Sequence, residues 1–549
     1  MDSDGEERSR FIRDAYDAVP AIGHGRRWYD LPYRGLSALS RSWLGQRFPL
    51  SWRQALNFGV NYLIPFDEHR RNIAWSRDDS SRNLTVPDAE VVENPAIWLV
   101  EFFPPSEFER LKRSLRRNSW DRRRVWSGIG QGNQEYLERS RGNSGSSWWR
   151  LGEVHSATAS WYHPDGVTRR LPWRFSSIEL TAIQIGGGLT AVVAWFRMSS
   201  AGSSCVNSVW HGPHEPRMVM RPGRPRAENR LWAGLGVTQQ ERASLHDAAR
   251  AWLAEHCPGW FEAKSVPQPT IDLMLLREFD PTDPQADASQ MRDPLRALGV
   301  TKSEFRHWVS DDFPRMLLES VDEGLCPALR NCSTLWGGVP QITSEIGDLQ
   351  FHGGANPSGL AGYVAMRING LAVLLGVSHM IDAMSQERAS LRDRARNRHG
   401  RFSGKRLALL RDDFLTASLD LASVERDVRL RNASHSSFEE EAEVVVRDSP
   451  ALEERLRLAG RDAREPQGLN ALIRRNQENL LAELLEADKG YREILAAVAS
   501  MGASIDTFRM GRIALFVAAV SLLVSAVALS LASYSEETVI SRLWQYLTE

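Results

Sequence analysis

Along this chain the spacing of apolar residues changes several times, and each change predicts a different element. Ala96–Phe103 (AIWLVEFF) is a continuous apolar run that stops at Pro104-Pro105, the pattern of a strand buried on both faces. Ser106-Glu107-Phe108-Glu109 supplies a capping box, which predicts a helix running to about Asn118. Strand-like runs follow at Val154–Tyr162, Ile178–Ile185 and Leu189–Arg197, the last two joined through Gly186-Gly187-Gly188 as a hairpin. Residues 1–90 have poor periodicity and read as an irregular, aromatic-rich region. Residues 201–230 are rich in Ser, Pro, Gly and Arg and read as a linker.

The elements of 91–200 make one α+β unit, and a second is expected over 231–404. Glu241–His256 places Leu245, Ala248, Ala249, Trp252 and Leu253 on one helical face. Ala361–Arg367, Asn369-Gly370 and Leu371–Leu375 predict a hairpin. Residues 405–468 read as helical, with breaks near Ser434–Ser437 and Glu465–Gly468.

From Leu480 the steps alternate between four and three: Leu480, Leu484, Ala487, Tyr491, Ile494, Val498, Met501, Ile505 and Phe508. That 3.5-residue period predicts a coiled-coil-like stalk over 469–512, and an intramolecular helical bundle has the same spacing. Next comes Ile513–Ala532, IALFVAAVSLLVSAVALSLA, uncharged over 20 residues. At ~1.5 Å rise per residue it spans ~30 Å, one hydrocarbon core, and the hydroxyls of Ser521, Ser525 and Ser530 can bond back to its backbone. Gly511, Ala514, Ala518, Ser521, Ser525, Ala528 and Ala532 form a small-residue stripe suited to close helix–helix contact and a homo-oligomer. Arg509 and Arg512 precede the span, and Glu536 and Glu537 follow it. That asymmetry predicts a cytoplasmic N-terminal region and a tail, 533–549, outside. No signal peptide is read in Met1–Arg13.

The expected architecture is therefore an α+β cytoplasmic region, an all-helical segment, a coiled-coil-like stalk and one C-terminal transmembrane helix. Composition leaves it standing, since 42% hydrophobic residues are too few for a polytopic membrane protein. The formal net charge of −1 offers no global attraction to nucleic acid. Four cysteines, Cys205, Cys257, Cys326 and Cys332, make no disulfide framework and suit a reducing compartment.

Chemistry-bearing patterns are sparse. Walker A, G-x-S-x-G, H-E-x-x-H, EF-hand and kinase signatures are absent, so the reading leans away from an enzyme, and no cofactor is evident. His211 and His214, beside Glu215, are weak metal candidates that need a third ligand from elsewhere. Arg221-Pro222-Gly223-Arg224-Pro225-Arg226 is a degenerate minor-groove motif and reads as solvated linker. Arg113, Arg116, Arg117, Arg122, Arg123 and Arg124 make the densest basic run, a solvated helix face or a patch for anionic lipid head groups. The expected partners are the bilayer and further copies of the chain; no protein partner is specified by sequence.

An α+β domain, a long stalk helix and a C-terminal membrane segment together resemble the layout of CorA-type divalent-cation transporters. That resemblance implies a transport assembly as one alternative to a scaffold or sensor; a membrane-tethered enzyme of unrecognised type is the other. The family has two spans joined by a Gly-Met-Asn loop. This chain shows one span and no Gly-Met-Asn, so no pore residue carries over.

Overall fold

Because β1 (Val92–Phe103) is apolar on both faces, it can only sit inside a sheet covered by helices on both sides, and the computed structural model has that arrangement. It describes residues 19–75, 82–121, 132–142, 147–157, 166–221, 223–283, 288–301, 306–397, 404–433 and 441–531. Of these, 221, 288, 394–397, 404–411, 494–510 and 529–531 are described as backbone alone. The chain divides into two units, Met1–Met384 with Ser423–Leu480, and Ser385–Ala422 with Leu481–Glu549.

The first unit is built on one mixed sheet. Its strands in chain order are β1, β2 (Ser147–His155), β3 (Val167–Thr168), β4 (Phe175–Ile185) and β5 (Leu189–Met198), then β8 (Thr270–Leu276), β9 (Arg306–Ser310), β10 (Phe313–Ser320), β11 (Cys332–Gly338), β12 (Val445–Asp448) and β13 (Gln467–Gly468). They lie in the order β13-β12-β9-β10-β11-β8-β1-β5-β4-β2-β3. β8 and β11 pair in parallel, as do β2 and β3, and the other pairs are antiparallel. The strands of 91–200 and 231–404 therefore share one sheet. The 405–468 stretch, expected to be helical, adds β12 and β13 to its edge.

One face of the sheet is covered by α5 (Ser200–Trp210) and α6 (Arg230–His256). Val206, Trp210, Leu245, Trp252 and Leu253 pack there with Ile97, Leu99 and Phe196, Trp252 meeting Phe196 edge-on at 5.7 Å. Burying each large side chain contributes roughly 1.5–3 kcal/mol. On the other face lies α11 (Ile368–Asn397), where a Cβ on Gly376 would stand 3.1 Å from Phe102 and 3.3 Å from Val100.

The β4–β5 hairpin forms as the glycines predict. Gly186 takes φ +67°, and the backbone N–H groups of Gly188 and Leu189 donate to Asp427 Oδ2 at 2.6 and 2.7 Å. Four expectations change. The helix starts later than the capping box places it: α3 (Phe108–Arg117) has Glu107 at its N-cap with no side-chain cap bond, and Glu107 pairs with Arg110 at 2.9 Å. The 201–230 linker is α5 followed by a hairpin of β6 (Arg217–Arg221) and β7 (Arg224–Glu228), with Gly223 at φ +86° in the turn. The hairpin expected over 361–375 is instead helical, α10 (Pro357–Ala365) and α11, with Asn369-Gly370 inside α11. Gly370 serves close packing, since a Cβ there would lie 2.8 Å from Glu441 Cα. The irregular N-terminus contains α1 (Asp30–Arg41) and α2 (Leu50–Ala74).

In the second unit the described side chains come from α11, α12 (Gly404–Ala433) and α14 (Leu469–Leu531). Asp488 is fully buried, paired with Arg388 and Arg492 and accepting from Ser418 Oγ at 2.7 Å; Tyr491 stands 6.4 Å from Phe414. The inward face of α14 includes Leu481 and Asp488, while Ala487 of the expected seam is exposed. Ile494, Val498, Met501, Ile505 and Phe508 lie outside the described side chains.

Among the described residues, two helices are long and apolar enough to cross a membrane. The first, Ile368–Asp393 in α11, is 67% buried; the second, Gly511–Ala528 in α14, is wholly exposed. Within the latter, Ser525 Oγ donates to Ser521 O at 2.8 Å, the back-bond expected for a hydroxyl in an apolar helix. Ala532 lies outside the described residues.

Candidate functional site

At the β13 edge of the sheet, strand pairing leaves a cavity of about 700 Å³. Its walls are β9, β10 and β12, with α13 (Pro450–Leu458) and the first turn of α14 closing it. Register sets its character: Trp308 pairs with Leu318 on one side and Val446 on the other, an apolar row across three strands. Leu317, Leu452, Leu469 and Leu472 extend that floor. Arg306 and Arg464 line it from exposed positions, and the buried His307 and Glu319 are also in its wall. Two of these residues are fixed from outside the cavity. Glu319 Oε1 accepts from the Thr301 backbone N–H at 2.6 Å, and the Arg464 backbone N–H donates to Asp448 Oδ2 at 3.1 Å. A cavity of this size, apolar below and guanidinium-bearing above, suits a small molecule with an apolar body and an anionic group.

A second cluster lies in the core. Arg242 and His246 of α6 converge on Asp272 of β8 and on Cys332 and Thr334 of β11. The Arg242 guanidinium grips Asp272 through two bonds of 2.7 and 2.6 Å and also donates to Thr334 Oγ1 and Leu298 O. His246 Nε2 lies 3.1 Å from Asp272 Oδ2. Although buried, the Asp272 carboxyl is held well below the ordinary carboxylate range by Arg242 and His246. Burial keeps the His246 imidazole below its usual value and pushes the Cys332 thiol up to about 12. His246, Asp272 and Cys332 have metal-ligand types and spacing. Both Asp272 oxygens are already engaged, however, and a guanidinium stands among the donors. The cluster is therefore built as a buried ion pair and opposes a second cation. Residues 246, 272 and 332 are too far apart in sequence for any spacing motif to reveal them.

Glu101 is the third buried group. Its Oε1 accepts from the backbone N–H of Phe261 at 2.8 Å and of Phe102 at 3.1 Å, and its Oε2 from Gln268 Nε2 at 3.1 Å. Burial outweighs these donors and pushes its carboxyl up to about 7. Gln268 also lines a polar cleft of about 550 Å³ with Asp247, Arg250, Glu262 and Arg330.

The residues singled out by sequence do not converge. His211 Nε2 donates to Glu90 O at 2.9 Å, His214 packs beside Gly234, and Glu215 pairs with Arg230 at 3.3 Å. Desolvation holds the His214 imidazole below its usual value. The only metal-type cluster among the described residues includes neither histidine. Arg113, Arg116 and Arg117 are exposed along α3, and Arg117 donates to Glu255 O. Arg122, Arg123 and Arg124 lie outside the described residues. Gly511, Ala514, Ala518, Ser521, Ser525 and Ala528 are all exposed. No protein family, curated protein or solved structure matches this chain.

Proposed function

We propose that the chain is a single-pass membrane-anchored sensor. In this reading its cytoplasmic α+β region takes up an amphipathic anion at the sheet edge, and its copies associate through the helix that follows. One observation carries it: α14 is a single helix of 63 residues. Its first turn, through Leu469 and Leu472, lines the cavity, and its last turns, Gly511–Ala528, are the wholly exposed apolar segment. Ligand that displaces the first turn acts on the element that enters the bilayer. A shift of that kind needs only a ligand with different affinities for two helix positions. The flanking charges of Arg509 and Arg512 support a cytoplasmic sheet, and the stripe from Gly511 to Ala528 supports helix–helix contact in the membrane.

The test uses the full chain in liposomes, with donor and acceptor dyes on separate copies. Leu472 is 44% exposed, so Leu472→Trp partly fills the cavity without burying new bulk in the core. Energy transfer between copies should change on that substitution and not on Leu458→Trp, which lies outside the cavity. Equal behaviour of the two variants overturns the coupling. Single cysteines near Ser3 and Thr548 test orientation in intact cells; an impermeant thiol reagent should label the second alone.

The length of α14 also supports a second reading, a CorA-type transport assembly with α14 as its stalk. Divalent-cation flux into liposomes carrying the full chain would favour transport over sensing. Absence of flux with intact energy transfer would favour the sensor.

A further inference from the structure

The N-terminal helices form an antiparallel hairpin. Ser40 Oγ donates to Asn57 Oδ1 at 3.0 Å, and Gly59 faces Leu36. The base of the hairpin is tied down: Arg230 donates to the carbonyls of Asn72 and Trp75 at 3.2 and 2.8 Å. At ~1.5 Å per residue, the 25 residues of α2 carry the other end ~37 Å from that base.

That distal end, residues 41–53 (RSWLGQRFPLSWR), has an unusual surface. Trp43, Leu44, Leu50 and Trp52 are 55–64% exposed. Arg41, Arg47 and Arg53 are exposed among them, the Arg47 guanidinium lies 4.3 Å from the centre of the Trp43 ring, and the segment contains no acid. The tip is also shaped in advance. Ser42 Oγ accepts from the Gly45 N–H at 3.1 Å, and a Cβ on Gly45 would collide with Leu39 O.

We propose that this tip docks on an anionic lipid surface. Trp and Leu side chains beside arginines match the boundary between head groups and acyl chains, where indole rings and guanidinium groups are both favoured. Charge complementarity selects the occupant. A second copy presenting the same tip would set cation against cation, because a two-fold interface is self-complementary. An anionic leaflet instead attracts each arginine. The encounter rests on the membrane reading of α14, which holds the chain near a bilayer.

Hydrogen exchange on the full chain tests the proposal. The chain is placed in nanodiscs of phosphatidylcholine alone, in nanodiscs with about one third phosphatidylglycerol, and in detergent. Amides of 41–53 should be protected in the phosphatidylglycerol discs by at least about tenfold over detergent, and less so in phosphatidylcholine alone. Trp43→Ser with Trp52→Ser, and separately Arg41→Gln with Arg47→Gln and Arg53→Gln, should remove that protection while exchange in β1 and β5 stays unchanged. Equal protection in both lipids overturns the anionic assignment. Protection in detergent that grows with protein concentration assigns the tip to a second copy and overturns the proposal, as does no protection anywhere. Amides of 511–528 report the anchor separately. If they stay unprotected in discs the anchor reading fails, and vesicles of the same two compositions, added to the full chain, then decide the tip by the same exchange readout.

Discussion

Ile368–Asp393 and Gly511–Ala528 are both long and apolar enough to cross a bilayer, yet they meet opposite surroundings. The first is packed against Val100 and Phe102, and its Leu374 carbonyl and Ser378 hydroxyl accept from Gln477 at 2.8 and 2.9 Å. The described side chains of the second are exposed. Length and composition measure only the wish to leave water; what distinguishes a core helix from a span is whether the protein supplies a partner surface. In α11 polar groups recur inside the apolar stretch and find partners there. In Gly511–Ala528 the bond of the Ser525 hydroxyl runs to Ser521 O, within its own helix.

The largest expected effect separates the two directly. Leu374→Arg places a charge in a fully buried position of α11 and should cost more than about 4 kcal/mol, enough to abolish cooperative thermal unfolding of the sheet unit. Val517→Arg, in the exposed helix, should leave the melting of the sheet unit unchanged and weaken membrane retention. Loss of folding in both, or in neither, would erase the distinction.

Next in size are two buried ion pairs, one chosen from each unit. Asp272→Asn leaves Arg242 uncompensated in the sheet core, and Asp488→Asn does the same to Arg388 between helices; each should cost about 3–5 kcal/mol in denaturant titration. The Asp272 contribution has a pH signature. Its folded value is depressed, so its stabilisation is full above the ordinary carboxylate range and is lost as pH falls through that range toward the folded value. Asp272→Asn should therefore flatten the acid limb of the stability curve.

Glu101 behaves in the opposite sense. Its folded carboxyl is raised to about 7, so its contribution is full below its ordinary unfolded value and disappears as pH rises through 7. Glu101→Gln, with the Gln268 amide turned to accept, should gain on wild type by about 2–3 kcal/mol between pH 5 and pH 8. A pH-independent difference would place Glu101 in a different protonation state.

Much of the sheet's centre was legible in sequence. The run at Ala96–Phe103 and the hairpin at Gly186–Gly188 are local patterns whose burial and turn chemistry agree with their neighbours. What was not legible depends on distant partners. Asn369-Gly370 reads locally as a turn, but Glu441, some seventy residues on, presses against Gly370 inside a helix. β12 and β13 are too short to announce themselves and become strands only because β9 offers an edge. The cavity was missed for the same reason, since its wall combines residues 306–320 with 446–472. The helices α1 and α2 were missed because their tip exposes the apolar residues that periodicity assumes to be buried. Of the expected seam of α14, Leu480, Leu484 and Tyr491 are half-buried and Ala487 is exposed, while the buried positions are Leu481 and Asp488. Asp488, a charge, occupies an inward position and is stabilised by Arg388 and Ser418, which no apolar count would select.

The smallest expected effect concerns the proposed span alone. Ala518→Leu with Ser525→Leu should weaken association of the Arg509–Tyr534 segment roughly tenfold in a membrane FRET assay, and Ala519→Leu with Ala526→Leu should matter less. Equal behaviour would make the small-residue stripe an accident of composition.

The role proposed for α14 is to end in the bilayer and hold the sheet unit there. It is tested most directly by alkaline carbonate extraction of membranes from cells expressing the full chain, beside a chain truncated before Arg509. The full chain should stay with the membrane pellet while the truncated chain appears in the soluble fraction, folded. Release of the full chain by carbonate would contradict it.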